Sequence, residues 1–325
     1  MLTARAPAIL CMDIGGTTTR IGLCAPPDAA AIPPSQPPLN TPSATSNVAP
    51  DLTLIAAFPT EQAYDAQLTR IGDALTLLRT GDFMAFTATD GSGAPLPPTF
   101  AGVGVAVGGR VTRDGATVDA APNLPGYVGR PLARDLAALC GCPARLAHDT
   151  VCGLLGERRF GALIPYDRCA YLTVSTGTGA AVYLGKGGAG LALSIEIGHQ
   201  RLDGNDLPCL CGQIGCLETF TGGRQIALRY GRPIEAITEP EFWATFVEKL
   251  ALGLVNLAQL TRAEAVAVGG AIALNRPTLL PELQLAVDAT LRNVTLRLLP
   301  VALDERAPLI GAALLTTTPD EQVLR

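Results

Sequence analysis

Residues 8–24 read AILCMDIGGTTTRIGLC: an apolar run ending at Asp13, a Gly/Thr turn, and a second apolar run. Short apolar runs on either side of glycine predict two strands joined as a hairpin. The pattern returns at 170–185, AYLTVSTGTGAAVYLG, with STGTGA over 175–180 at its centre. Two such hairpins, each near the start of a half of the chain, predict two related domains with a cleft between them. Clefts of that kind are preferred ligand sites.

The segments between the hairpins alternate in type. LTLIAAF (52–58) and AGVGVAVGG (101–109) read as strands, and 61–80 has helical spacing. RPLARDLAALCG (130–141) predicts an amphipathic helix closed by Gly141. ARLAHD (144–149) is a strand ending at Asp149, with a helix following over TVCGLLGERRFG. A long helix is predicted over 240–261, a buried strand runs into Gly269 and Gly270, and a last helix covers 307–320. Mixed strands and helices with glycine at strand ends define an α/β protein. The expected division is 1–122 with 307–325 in one domain and 123–306 in the other. Residues 25–51, rich in Pro, Ala and Ser, read as a flexible insertion after the first hairpin.

The chain has 325 residues, 48% of them hydrophobic and 16% charged, which suits a globular protein of two domains. A formal net charge of −5 without any basic block argues against nucleic acid and anionic lipid as partners. No apolar run reaches the roughly 18 residues of a spanning helix. AILCM is too short for a secretory signal, so a cytoplasmic chain is expected. Nine cysteines, an odd number, argue against a disulfide framework.

The two turns share one chemistry. Glycine allows close backbone approach, and successive N–H groups form an anion-binding concavity. An Asp beside such a turn, as Asp13 is, suits a hydrated magnesium ion on phosphates. Taken singly, each turn is equally an ordinary hairpin connection. Neither a Walker sequence nor a dinucleotide fingerprint is present.

EIGHQRLDGNDLPCLCGQIGCLE (196–218) concentrates one His, three Cys and two Glu. His199, Cys209, Cys211 and Cys216 offer the four ligands of a closed tetrahedral zinc site. Glu196 and Glu218 flank it, and carboxylates suit sugar hydroxyls because each accepts several hydrogen bonds. Asp149 reads either as a helix N-cap or as a base.

DIGGTTTR, HD at 148–149, STGTGA, EIGH…CLCGQIGCLE and VGG at 268–270, with NLPGYVGRPL and LIGAALL, resemble in order and spacing the ROK family of repressors, open reading frames and sugar kinases. The resemblance covers nearly the whole chain, and the Cys-rich loop is its most specific part. It implies an actin-like ATPase (ribonuclease H-like) fold, two α/β domains around a central cleft, with ATP and magnesium bound between them. Asp13, Gly15, Gly16, Thr17 and Thr18 match the first phosphate turn. Thr176, Gly177, Thr178 and Gly179 match the second, and Gly269 and Gly270 would sit near the adenosine. Asn123, His148, Asp149, Glu196, His199 and Glu218 would face the sugar, and Asp149 would be the catalytic base. A structural zinc on the Cys3His set and a homodimer are further implications.

Three positions depart from the family pattern: His148 where Asn is usual before the Asp, Ile195 where Gly precedes the Glu, and Val107 where Pro precedes Gly. The first two bear on sugar identity. The expected activity is ATP-dependent phosphorylation of a hexose hydroxyl, foremost the 6-hydroxyl of glucose. N-acetylhexosamines, fructose, mannose and allose are alternatives, as is a catalytically weak sugar sensor. A transcriptional regulator is disfavoured by the early first turn, which leaves no room for a helix-turn-helix domain ahead of it.

Overall fold

The computed structural model describes residues 8–25, 51–80, 99–186 and 189–324. The predicted flexible insertion lies outside the described residues except for its ends, Ala25 and Asp51. The described chain forms two compact units, 8–25, 51–80, 99–156 and 306–324 in the first, 157–186 and 189–305 in the second.

In the first unit, β1 (Ile9–Ile14) and β2 (Thr18–Cys24) form the predicted hairpin, and β3 (Leu52–Pro59) extends it. Helix α1 (Tyr64–Thr80) follows, then β4 (Gly102–Val107), which pairs parallel with β1. A small ribbon, β5 (Arg110–Val111) and β6 (Val118–Ala120), precedes α2 (Leu132–Cys140), which stops at Gly141 in the left-handed conformation, as predicted. Strand β7 (Ala144–His148) pairs parallel with β4, and α3 (Asp149–Phe160) follows without a break. The sheet order is β3-β2-β1-β4-β7. Strands β1 and β4 are buried along their whole length, as expected of strands covered on both faces. The division between units therefore falls at 156/157 and not at 122/123. Strand β7 joins the first sheet through hydrogen bonds to β4, a pairing between residues about forty positions apart that local pattern does not reveal.

The second unit repeats this arrangement. Strands β8 (Arg168–Val174), β9 (Thr178–Lys186) and β10 (Ala189–Ile195) run antiparallel in sequence. Short helices α4 (Glu218–Thr221) and α5 (Gly223–Tyr230) precede the long α6 (Pro240–Thr261). Strand β11 (Ala265–Gly269), α7 (Ala271–Asn275), α8 (Leu279–Thr290) and β12 (Arg297–Pro300) complete it. Five strands of its six-stranded sheet run in the order β10-β9-β8-β11-β12, with the last two parallel to β8, the same order of hairpin and crossover strands as in the first sheet. Its core is an apolar cluster of sheet residues with Phe246, Leu250 and Leu254 of α6.

The final helix, α9 (Ala307–Leu315), belongs to the first unit and packs on β4 and α3 so closely that side chains are excluded. A methyl on Gly104 would lie 1.7 Å from the Ala312 carbonyl oxygen, and one on Gly311 would lie 1.6 Å from that of Cys152. The helix ends five residues before the predicted 320. The hydroxyls of Thr316, Thr317 and Thr318 turn back onto the carbonyls of Ala313 and Leu314, and Pro319 follows. In the second unit, buried Glu157 accepts from the N–H groups of Ala162, Ala302 and Leu303 at 2.7, 3.1 and 2.8 Å. That carboxylate ties the first and last segments of the second unit, 157–162 and 302–303, to each other.

Candidate active site

Parallel strands in register end together. Ile14, Val107 and His148 are register partners across β1, β4 and β7. The turn 15–17, Gly108 and Asp149 therefore emerge at one edge of the first sheet, the carboxyl edge, where α/β folds bind ligands. Gly15 N–H donates to Thr18 O at 3.1 Å and Gly108 N–H to Ile14 O at 2.9 Å, which fixes the turn against the neighbouring strand. Thr18 belongs to β2. A methyl on Gly16 would come within 2.7 Å of the Asn123 Cβ, so only glycine lets that asparagine sit on the turn. Asp13, one strand residue before the turn, is buried and paired at 3.3 Å with Arg20, its cross-strand partner.

Asp149 opens α3, but it is not the cap. Thr150 N–H donates to His148 Nδ1 at 3.3 Å, and the Thr150 hydroxyl lies 2.7 Å from the same nitrogen. Asp149 Oδ1 stands 2.9 Å from that nitrogen, a spacing that would suit an ion pair. It nevertheless makes no hydrogen bond and is buried. Nδ1 accepts from the Thr150 N–H, and Asp149 Oδ1 faces it without a hydrogen bond of its own. The result is a carboxylate oxygen with its acceptor capacity uncommitted, a state that costs about 1–3 kcal/mol and suits a proton acceptor.

The second unit presents its own edge. Strands β8 and β11 end together, with Gly269 opposite Thr173. The turn between β8 and β9 is held by Ser175 N–H to Gly177 O at 2.9 Å. Among the described residues, the N–H groups of Thr176 and Gly177 have no protein acceptor. Two consecutive free amides are an anion concavity. Thr178 differs: its N–H donates to Glu218 Oε2 at 2.9 Å, and its hydroxyl lies 2.7 Å from that of Thr221. Gly179 is a residue of β9. Gly270 has φ +89 and a methyl there would lie 2.5 Å from Val174 O, so the diglycine lets α7 begin directly on the end of β8. Gly198 packs as closely, 2.2 Å from Thr178 O by the same measure, and lies beside the Glu218 carboxylate. Glu196, two residues earlier, is exposed.

His199, Cys209, Cys211 and Cys216 are brought together, their ligand atoms all within 4.8 Å of one another. Cys211 and Cys216 Sγ are 3.7 Å apart, and Cys209 Sγ is 3.8 Å from His199 Nδ1. Tetrahedral ligands at about 2.3 Å from zinc stand about 3.8 Å apart, so the donor set fits such an ion. Burial pushes the Cys209 and Cys216 thiols above the ordinary value, with the neighbouring thiols adding to the rise at Cys216. Burial acts the same way on Cys211, but the Gln213 N–H and the other thiols outweigh it and the group lies below the ordinary value. With Nδ1 turned to the thiols, His199 keeps Nε2 on the opposite side of its ring.

A hollow of about 590 Å³ among Phe220, Tyr230, Phe242 and Phe246 contains none of the sequence-predicted site residues. These residues lie instead at the two strand edges and in the thiol loop.

The sequence profile of the ROK family matches residues 95–318. The chain belongs to the ROK family. An N-acetyl-D-glucosamine kinase of Shigella sonnei is 31% identical over 241 residues, 65% of this chain and 75% of that protein. A xylose repressor of Caldicellulosiruptor bescii is 33% identical over 134 residues, 40% of this chain and 33% of the repressor, so the chain spans only a third of that relative. A ROK glucokinase from Streptomyces griseus, solved with glucose and AMPPNP, superimposes with a TM-score of 0.66 at 21% identity, covering 94% of this chain and 98% of the other. The ROK protein thus has the two-domain α/β fold of the actin-like ATPases.

Several residues of this ROK protein escaped sequence reading. Gly198, Thr221, Gly223, Arg224 and Gln225 all adjoin the second turn or the thiols. The run TGGR after Glu218 was the available signal, since a diglycine directly after a short helix marks close backbone contact. No described helix is long and apolar enough to cross a membrane.

Proposed function

We propose that this ROK protein is an ATP-dependent sugar kinase with Asp149 as general base. The uncommitted, buried Oδ1 of Asp149 at the carboxyl edge of the first sheet carries the reading. A sugar hydroxyl is a poor nucleophile, and a carboxylate within hydrogen-bond reach takes its proton as the phosphoryl group arrives. Thr176 and Gly177 supply two amides for phosphate oxygens, and Gly15, Gly16, Thr17 and Thr18 form the companion turn with Asp13 as the magnesium-side carboxylate. In this reading Gly179 continues the second phosphate turn, and Gly269 and Gly270 lie on the adenosine side. Glu196, Glu218, His199 Nε2, Asn123 and His148 are the sugar contacts. Zinc on His199, Cys209, Cys211 and Cys216 would shape the loop that carries three of them.

The kinase relatives named above support a hexose or N-acetylhexosamine substrate, with glucose foremost. The xylose repressor supports a second reading, a sugar-binding regulator without turnover. ADP release from Mg-ATP over a panel of hexoses and amino sugars separates the two. Turnover on one sugar is expected. Sugar binding by calorimetry with no ADP release on any member of the panel would replace the kinase by the regulator.

A further inference from the structure

Residues 218–225 touch the second Gly/Thr turn and the thiol cluster at the same time. Four contacts reach the turn: Glu218 Oε2 to Thr178 N–H, Thr221 Oγ1 to the Thr178 hydroxyl, Gly223 N–H to Ser175 O and Arg224 N–H to Thr176 O, at 2.9, 2.7, 2.9 and 2.9 Å. The hydroxyl pair has a direction. Thr221 donates to Leu217 O at 3.2 Å, so it accepts from Thr178. Both protons of Thr178 are then committed to this segment, and the backbone donors the turn keeps uncommitted are the Thr176 and Gly177 amides.

The other end of the segment reaches the thiols. Gln225 Nε2 donates to Cys209 Sγ at 3.1 Å, and both residues are buried. Gln225 lies on α5, whose first residue is the Gly223 that bonds the turn. A cation on the thiols fixes the Cys209 sulfur as a thiolate, a stronger acceptor for that amide than a thiol. Outer partners of this kind orient metal ligands and are oriented by them.

We propose that segment 218–225 makes nucleotide affinity depend on metal loading, with Gln225 and Thr221 as positioning residues for the turn 175–178. The inference rests on the nucleotide role given to that turn above. Metal loss frees Cys209, loosens Gln225 and α5, and lets the turn lose the curvature that holds its two amides in one concavity.

The test is binding of Mg-ADP by calorimetry, without sugar, to metal-loaded and chelator-stripped wild type and to metal-loaded Gln225→Leu, Thr221→Val and Thr221→Ser. Zinc affinity by chelator competition and unfolding temperature are read on the same samples. Stripped wild type, Gln225→Leu and Thr221→Val are expected to bind Mg-ADP at least fivefold more weakly. Thr221→Ser, which keeps the hydroxyl, is expected within twofold of wild type. Gln225→Leu is also expected to lose zinc affinity by roughly 10–100-fold. In turnover, KM for ATP should rise while kcat changes less. If stripping unfolds the protein, the two loaded variants decide alone. Gln225→Leu with weaker zinc but unaltered Mg-ADP affinity overturns the proposal, as does Thr221→Ser behaving like Thr221→Val. Wild type that binds no Mg-ADP overturns the nucleotide reading with it.

Discussion

His148 Nδ1 lies 2.9 Å from Asp149 Oδ1, yet the nitrogen serves Thr150 and leaves the carboxylate oxygen without a hydrogen bond. The helix cap, one of the two roles open to the aspartate in the sequence, is thus made by the residue before it. The aspartate Oδ1 is thereby left uncommitted by the local structure.

Asp149→Asn removes the proton acceptor but keeps the size of the side chain. It should lower kcat by about 10²–10⁴-fold while sugar affinity, measured by calorimetry, stays within about threefold. A variant keeping more than a tenth of wild-type turnover would falsify the base assignment.

His148→Asn trades the imidazole for a smaller group that still offers an oxygen to the Thr150 N–H. The fold should hold, with the unfolding temperature near that of wild type. The order of kcat/KM across hexoses and N-acetylhexosamines should change, because an amide presents a different donor and acceptor to the sugar. An unchanged order would remove His148 from specificity.

Cys209→Ser takes away one of four clustered ligands and the acceptor of Gln225. Metal content should fall well below one equivalent, and the unfolding temperature should drop because metal binding and folding are coupled. Near one zinc per chain in this variant, by atomic absorption, rejects the ligand set.

Gly104→Ala tests the packing of α9. The added methyl would meet a backbone carbonyl at 1.7 Å, which no rotamer change relieves. Denaturant unfolding should show a loss of about 1–3 kcal/mol or more. A loss under 1 kcal/mol would show that α9 shifts freely on the sheet.

The local pattern was sufficient for the two hairpins, the helix over Pro240–Thr261, the cap at Gly141 and the thiol loop. Each of these is written in neighbouring residues: alternation, helical spacing, a glycine at a helix end, ligands within 18 positions. The place of β7 in the first sheet was not legible, because it depends on hydrogen bonds to a strand about forty residues earlier.

The sequence by itself determined an α/β chain with two glycine turns, a Cys3His cluster and a candidate base. Only the tertiary structure decided which of those groups keep free hydrogen-bonding capacity. Thr178 and Thr176 look alike in STGTGA, but Glu218 and Thr221 take up both protons of the first and none of the second's amide. His148 and Asp149 are neighbours in the chain, but the direction of one ring nitrogen leaves the carboxylate oxygen unbonded. The commitment of a donor or acceptor is a property of distance and angle in the folded chain, and residue type alone does not fix it.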